Sequence, residues 1–288
     1  MKRTSLSIVI LVLALTPTAL AEDDRDTDRS EISLTSLAPA RTGSRPWDRL
    51  AVRLGGFAVR FDTNIRLDSD TLGVGTEFNL ESDANVDKNK TEARLEGHVR
   101  FGRRHRIDYG TVFFRRSATK TLDRQIQFGD VVFNLNADVM TEFKNDVIKL
   151  AYRYDIVNRP AWDLGLSFGI SAFVIDTSIA VIGGGGGMAS AESEDFIAPI
   201  PVLGLHADVR LAKKWYLRTS GEFFDVQVDD QKGSLTDYRA AVDWYPFEHF
   251  GFGAGFNRSR LAYEDLGVPA VDVTYTYSGT TVYVSYVR

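Results

Sequence analysis

The sequence predicts an all-β chain: an antiparallel up-and-down transmembrane β-barrel of about ten strands, with an N-terminal signal peptide. Three observations carry this reading. About ten segments alternate apolar and polar residues with period 2. The connections between them alternate in length. The N-terminus has the three parts of a secretory signal.

The signal comes first in the chain. "MKRTSLSIVILVLALTPTALA" places Lys2 and Arg3 before an apolar stretch from Leu6 to Leu15 and a small-residue site at Ala19-Leu20-Ala21. The apolar stretch is too short for a membrane helix, which needs about 20 residues, so 1–21 reads as a signal peptide. Losing Lys2 and Arg3 takes the formal charge from −5 to −7, which disfavours nucleic acid as a partner. The chain has no cysteine, so burial and backbone pairing must hold it without disulfides. Residues 22–46 are polar, charged and aperiodic, and read as a disordered periplasmic leader. Residues 47–288 read as one barrel.

Strands are expected near 50–66, 91–101, 105–117, 139–155, 162–176, 200–211, 215–228, 235–246, 250–262 and 272–287. The phase is plain in most of them. Leu164, Leu166, Phe168 and Ile170 alternate with Gly165, Ser167, Gly169 and Ser171; Leu203, Leu205, Ala207 and Val209 alternate with Gly204, His206, Asp208 and Arg210. In the first strand, Leu50, Val52 and Leu54 give way to Phe57, Val59 and Phe61. That is a slip of one residue at Gly55-Gly56, which fits a β-bulge.

"GRR", "VNRPA", "AKK" and "EHF" are short connections. The stretches at 67–90, 118–138 and 176–200 read as long loops, and "DDQKGS" and "AYEDLGVPAVD" as moderate ones. The short ones fall at one end of an antiparallel array, an asymmetry expected of a membrane barrel. Trp47, Trp162, Trp215 and Trp244 lie at that same end, with Phe101, Tyr154, Phe250 and Tyr286. A second girdle is expected from Phe113, Phe143, Tyr238 and Tyr275 or Tyr277. Lipid then meets the apolar face, because a lipid-facing Lys or Arg at mid-membrane costs about 2–4 kcal/mol. The charged face becomes the lumen: Arg94, Glu96, His98, Arg100, Arg106, Asp108, Lys149, Arg153, His206, Asp208, Arg210, Arg218, Glu222, Asp237, Arg239 and Asp243. Charges held there need partners, so paired clusters are expected.

The signal, the ten alternating strands and the final "YSGTTVYVSYVR" together make the chain similar to Gram-negative outer-membrane β-barrel proteins. The final segment looks like the insertion signal that the assembly machinery of such barrels recognises, through Gly279, Val282, Val284 and Tyr286; it departs from the usual pattern by ending in Arg288. The resemblance covers about 50–288. It implies a place in the cell outer membrane with both termini periplasmic, and contact with outer-membrane lipid and lipopolysaccharide. No functional family follows from it.

Two function classes remain: a narrow or gated pore for ions or small solutes, and a non-conducting structural or surface-interaction barrel with an ion-paired lumen. An outer-membrane hydrolase is a weaker third. Ten-stranded omptin-type proteases carry an Asp/His site at the extracellular rim, whereas His98, His105 and His249 are expected toward the periplasm and His206 near the middle. With no Ser/His/Asp or Asp/His pairing visible, no enzyme is expected. "GGGGG" at 183–187 lacks the Lys-Ser/Thr of a phosphate loop. The stretch 68–79 ends in Asn79 where a calcium loop needs an acid. His206 and Asp208 share a face as lumen ion-pair members rather than metal ligands, and no cofactor or metal is expected.

Overall fold

The computed structural model describes residues 48–68, 77–83, 85–122, 125–128, 131–133, 138–182, 188–265 and 270–288. The signal, the leader, Trp47 and the glycine stretch at 183–187 lie outside these residues. The strands are β1 (Leu50–Leu67), β2 (Phe78–Asn79), β3 (Asn89–Phe101), β4 (His105–Thr121), β5 (Ile126–Phe128), β6 (Val131–Phe133), β7 (Asp138–Asn158), β8 (Trp162–Ile182), β9 (Met188–Ala212), β10 (Trp215–Val228), β11 (Gln231–Trp244), β12 (Phe250–Asp265) and β13 (Val271–Val287). Ten of them, β1, β3, β4 and β7 to β13, form an antiparallel meander in which each pairs with the next. β13 returns to pair with β1 from Ala51–Val287 to Leu67–Val271, which closes the barrel, although β9 and β10 pair only between Leu203–Phe223 and Ala212–Trp215. β2 adds two pairs to β1, and β5 and β6 form a separate hairpin.

Strand lengths run from 13 residues in β3 to 25 in β9, whereas about 9–11 suffice to span a bilayer. The barrel is therefore taller than a membrane is thick. Its outer wall shows where the excess lies. On β7, Ile148, Leu150, Tyr152, Tyr154 and Ile156 face outward and are exposed; above them the outward positions are Asp146, Lys144 and Glu142. Nine residues cover about 30 Å of strand, or about 23 Å of height at a tilt of about 40°, close to the apolar band of membrane barrels. The register carries the same boundary round the wall. It falls between Ala58 and Arg60 on β1, Val174 and Asp176 on β8, and Phe256 and Arg258 on β12. At the end holding the chain termini, Phe101, Trp162, Trp215, Trp244 and Phe250 face outward and exposed. Trp215 stacks on Trp244 with centroids 5.9 Å apart. We call this the near end.

Four sequence expectations need correction. Pairing of β1 with β3 and β13 is continuous through Gly55-Gly56, so there is no bulge. Ala51, Arg53, Phe57, Val59, Phe61, Thr63 and Ile65 all face inward. The apparent slip is a change of surroundings: along one unbroken inward face, charge gives way to apolar residues where the outer wall leaves the apolar band. Next, 176–200 is mostly strand, continuing β8 and β9, and β10 turns into β11 through Asp229 and Asp230 alone, with Asp229 at φ 50°. Phe143, Tyr275 and Tyr277 point into the barrel, not to a girdle; Phe113 and Tyr238 do face outward, with Phe223 and Phe256. Finally, the interior charges lie mostly in its near half, with the buried Arg116–Glu81 pair above them. The far half is a single apolar cluster that includes Phe57, Phe61, Phe114, Phe143, Phe173, Tyr275 and Tyr277.

Candidate functional site

The candidate site is the lumen, which has two storeys. In the near storey, strand periodicity delivers one inward side chain every second residue, and many are ionisable. Excluding Arg210 at the rim, the basic groups are Arg53, Arg94, Arg100, Arg106, Lys149, Arg153, Arg218 and Arg239. The acidic groups are Glu96, Asp108, Asp155, Asp163, Asp208, Glu222, Asp237 and Asp243. Eight face eight, so the wall offers no excess charge of either sign to select ions.

Arg153, 1 % exposed, is the hub of the lowest cluster. It donates from Nε to Asp155 (2.6 Å), from Nη2 to Asp163, and its Nη1 meets Asp208 at 3.1 Å. Arg100 shares Asp155 (2.6 Å), and Arg106 joins Asp208 (3.2 Å) to Asp108 (2.7 Å). Gly165 leaves the room: a Cβ there would lie 2.6 Å from Arg153 Nε and 2.7 Å from Asp155 Oδ1. Higher up, Glu96 accepts from Arg239 (2.8 Å) and pairs with Arg94 (3.2 Å), while Lys149 lies 3.0 Å from both Glu222 and Asp237. Asn257 links the two groups, accepting from Arg94 and donating to Asp237. Across the lumen, Arg218 pairs with Asp243, and both bond the Tyr283 hydroxyl.

The candidate residues read from sequence fall into these groups with three exceptions. Arg210 faces inward at the near rim and makes no ion pair among the described residues. His98 approaches the Asp48 carbonyl oxygen at 3.3 Å. His206 meets the Ser167 hydroxyl at 2.7 Å, a Ser/His pair not visible in the sequence. Among the described residues no carboxylate bonds the other ring nitrogen, so the acid that orients a catalytic imidazole is lacking. Asp155 and Asp163 lie inside the expected strands 139–155 and 162–176, in phase with Arg153 and Gly165, but are not among the residues expected in the lumen. Neither is Arg53, which is 5 % exposed and makes no ion pair among the described residues. Arg53 lines a cavity of about 80 Å³ with Arg106, Asp208, His206 and Arg218.

The far storey is closed by rings that meet across the bore. Phe143 on β7 lies 5.6 Å from Tyr275 on β13, although three strands separate β7 from β13 round the wall. Phe61 contacts Phe114 at 5.0 Å and Tyr275 at 6.1 Å. The connection after β1 folds onto this layer and buries Phe78, Leu80 and Val86 in it. An ion pair fastens it: Glu81 meets Arg116, which is 2 % exposed. The Thr63 hydroxyl accepts from Arg116 (3.0 Å) and donates to Glu81 (2.9 Å). Phe61 and Phe143 lie 4.1 and 4.7 Å from the guanidinium carbon.

No protein-family description and no curated protein sequence matches the chain. Solved structures do match in shape. The outer membrane protease OmpT from Escherichia coli is similar at 11 % identity and a TM-score of 0.54, with 86 % of this chain and 99 % of that one covered. The translocator domain of the autotransporter NalP from Neisseria meningitidis matches at 12 % identity, with 88 % and 91 % covered and a TM-score of 0.43. OprG, an outer membrane protein from Pseudomonas aeruginosa, matches at 12 %, with 85 % and 98 % covered and a TM-score of 0.36. The class is defined by fold: a closed, ten-stranded antiparallel barrel of the bacterial outer-membrane kind. At these identities the likeness extends to fold alone.

Proposed function

We propose that the protein is an integral outer-membrane barrel that does not conduct, and that its work is structural or lies in the surface it presents beyond the membrane. The observation that supports this best is closure in series. An aromatic layer bridges the bore above, and beneath it the ion-paired storey leaves a cavity of about 80 Å³. On that measure a water molecule needs about 10–15 Å³, so the cavity holds a handful of waters rather than a path. A gated pore would require both layers to move together. In planar bilayers the refolded protein should show only background current, in the wild type and in Glu96→Ala alike. Stepwise single-channel currents in the wild type would overturn this reading.

The apolar outer band and its near-end aromatic girdle support membrane insertion with the far end outward and both termini periplasmic. An epitope inserted near Gly185 should then be labelled on intact cells, and one at Lys213 only after the outer membrane is opened. The opposite pattern would invert the orientation. On β13, Val282 and Val284 are exposed on the outer wall and Tyr286 follows in phase. These residues, after Gly279, are the ones we assign to recognition by the assembly machinery.

A further inference from the structure

We propose that the outer wall of β12, β13 and β1 binds the phosphate group of a membrane lipid at the upper edge of the apolar band. This rests on the reading that the barrel lies in the outer membrane with its far end outward. Arg60 and Arg258 flank Ser278 in one row across β1, β13 and β12. Arg260 stands two residues above Arg258 on the same face, beside Thr276. Neighbouring strands are about 4.8 Å apart, so the Arg60 and Arg258 backbones are separated by about 10 Å, close enough for both side chains to reach one anion over the Ser278 hydroxyl. All three arginines are exposed, and none has an ion pair among the described residues. One carboxylate is near: Asp62, beside Thr276, accepts from Asn79 Nδ2 at 3.1 Å.

The charge is local to this sector. At the same height on the opposite wall, Arg115 is paired with Asp146 and Lys144 with Asp176 (3.2 Å). Guanidinium forks match phosphate oxygens in pairs, and hydroxyls add further donors. What lies below the arginines identifies the rest of the ligand. The next rows down are Phe256, Thr280 and Ala58, then Ala254, Val282 and Gly56. Small residues beside Phe256 and the 67 %-exposed Val282 make a shallow apolar trough under the cations. A phosphate above and acyl chains below describe an amphipathic lipid rather than a free anion.

The test uses the full-length mature protein refolded in micelles, with bound lipid counted by native mass spectrometry. The probes are a bisphosphorylated glucosamine-disaccharide lipid, its dephosphorylated form and inorganic phosphate. The wild type should retain the phosphorylated lipid. Arg60→Gln/Arg258→Gln/Arg260→Gln should bind it at least roughly tenfold more weakly, the loss of about one charge-assisted contact. Arg115→Gln/Lys144→Gln should bind as the wild type does. Unchanged binding by the triple variant, equal retention of the dephosphorylated lipid, or competition by millimolar inorganic phosphate would overturn the site. Heat-modifiable migration on a gel, read on the same samples, separates this from failure of the membrane reading: a chain that gives no heat-modifiable folded species in micelles refutes the insertion itself.

Discussion

Replacing Arg153 with Met should destabilise the barrel by about 3–5 kcal/mol or more, the cost of leaving a buried charge without its partner. Three carboxylates depend on this guanidinium, Asp155, Asp163 and Asp208. Arg100 and Arg106 remain but already serve the same acids. The measurement is the free energy of urea unfolding of the refolded protein in liposomes. Arg153→Lys should recover only part of the loss, because a single ammonium cannot address three carboxylates as a planar fork does. Adding Asp155→Asn and Asp163→Asn to Arg153→Met should restore stability relative to the single variant, since the charges left uncompensated are then removed. If Arg153→Met costs under 1 kcal/mol, or if the added neutralisations make matters worse, water rather than Arg153 is what satisfies these acids.

How much of this was legible in the sequence depends on what surrounds each stretch. The phase of Leu203, Leu205, Ala207 and Val209 was plain because that part of β9 has lipid outside and charge inside. Above the band the outer wall meets water, so the apolar face belongs inside, and the hydrophobic phase flips with no change in backbone register. Phe57 and Phe61 therefore mimicked a bulge, and Phe143, Tyr275 and Tyr277 mimicked a girdle. The upper parts of β8 and β9 mimicked a loop for the same reason: outward Asp176 and Ser178 read as loop polarity. That charges share the lumen follows from period 2 alone. Who pairs with whom does not, because Glu96 and Arg239 are 143 residues apart and Arg106 and Asp208 are 102 apart. Only barrel closure sets those distances. Arg116 was in the inward phase of β4, but its partner Glu81 sits in a connection with no period to read.

That last pair makes the other large prediction. Glu81→Ala should cost more than Arg116→Met. The first leaves a guanidinium buried without a carboxylate, at about 3–5 kcal/mol. The faces of Phe61 and Phe143 hold the guanidinium in the wild type and in this variant alike, so they do not offset that loss. The second leaves Glu81 on a connection that can turn it toward water, and the Met chain keeps its packing on the same two rings. The double variant replaces a buried pair with apolar volume and should sit within about 1 kcal/mol of the wild type. Hydrogen exchange at 77–83 should quicken in Glu81→Ala. The connection should nevertheless stay seated, because Phe78, Leu80 and Val86 each gain about 1.5–3 kcal/mol from burial, more in total than the latch supplies. Even full release would leave Phe143 against Tyr275 across the bore, so bilayer current should remain at background in all three variants. A Glu81→Ala protein that conducts would show that the connection, and not the aromatic layer beneath it, closes the far end; an Arg116→Met protein less stable than Glu81→Ala would show that the ring contacts, and not the carboxylate, hold the guanidinium in place.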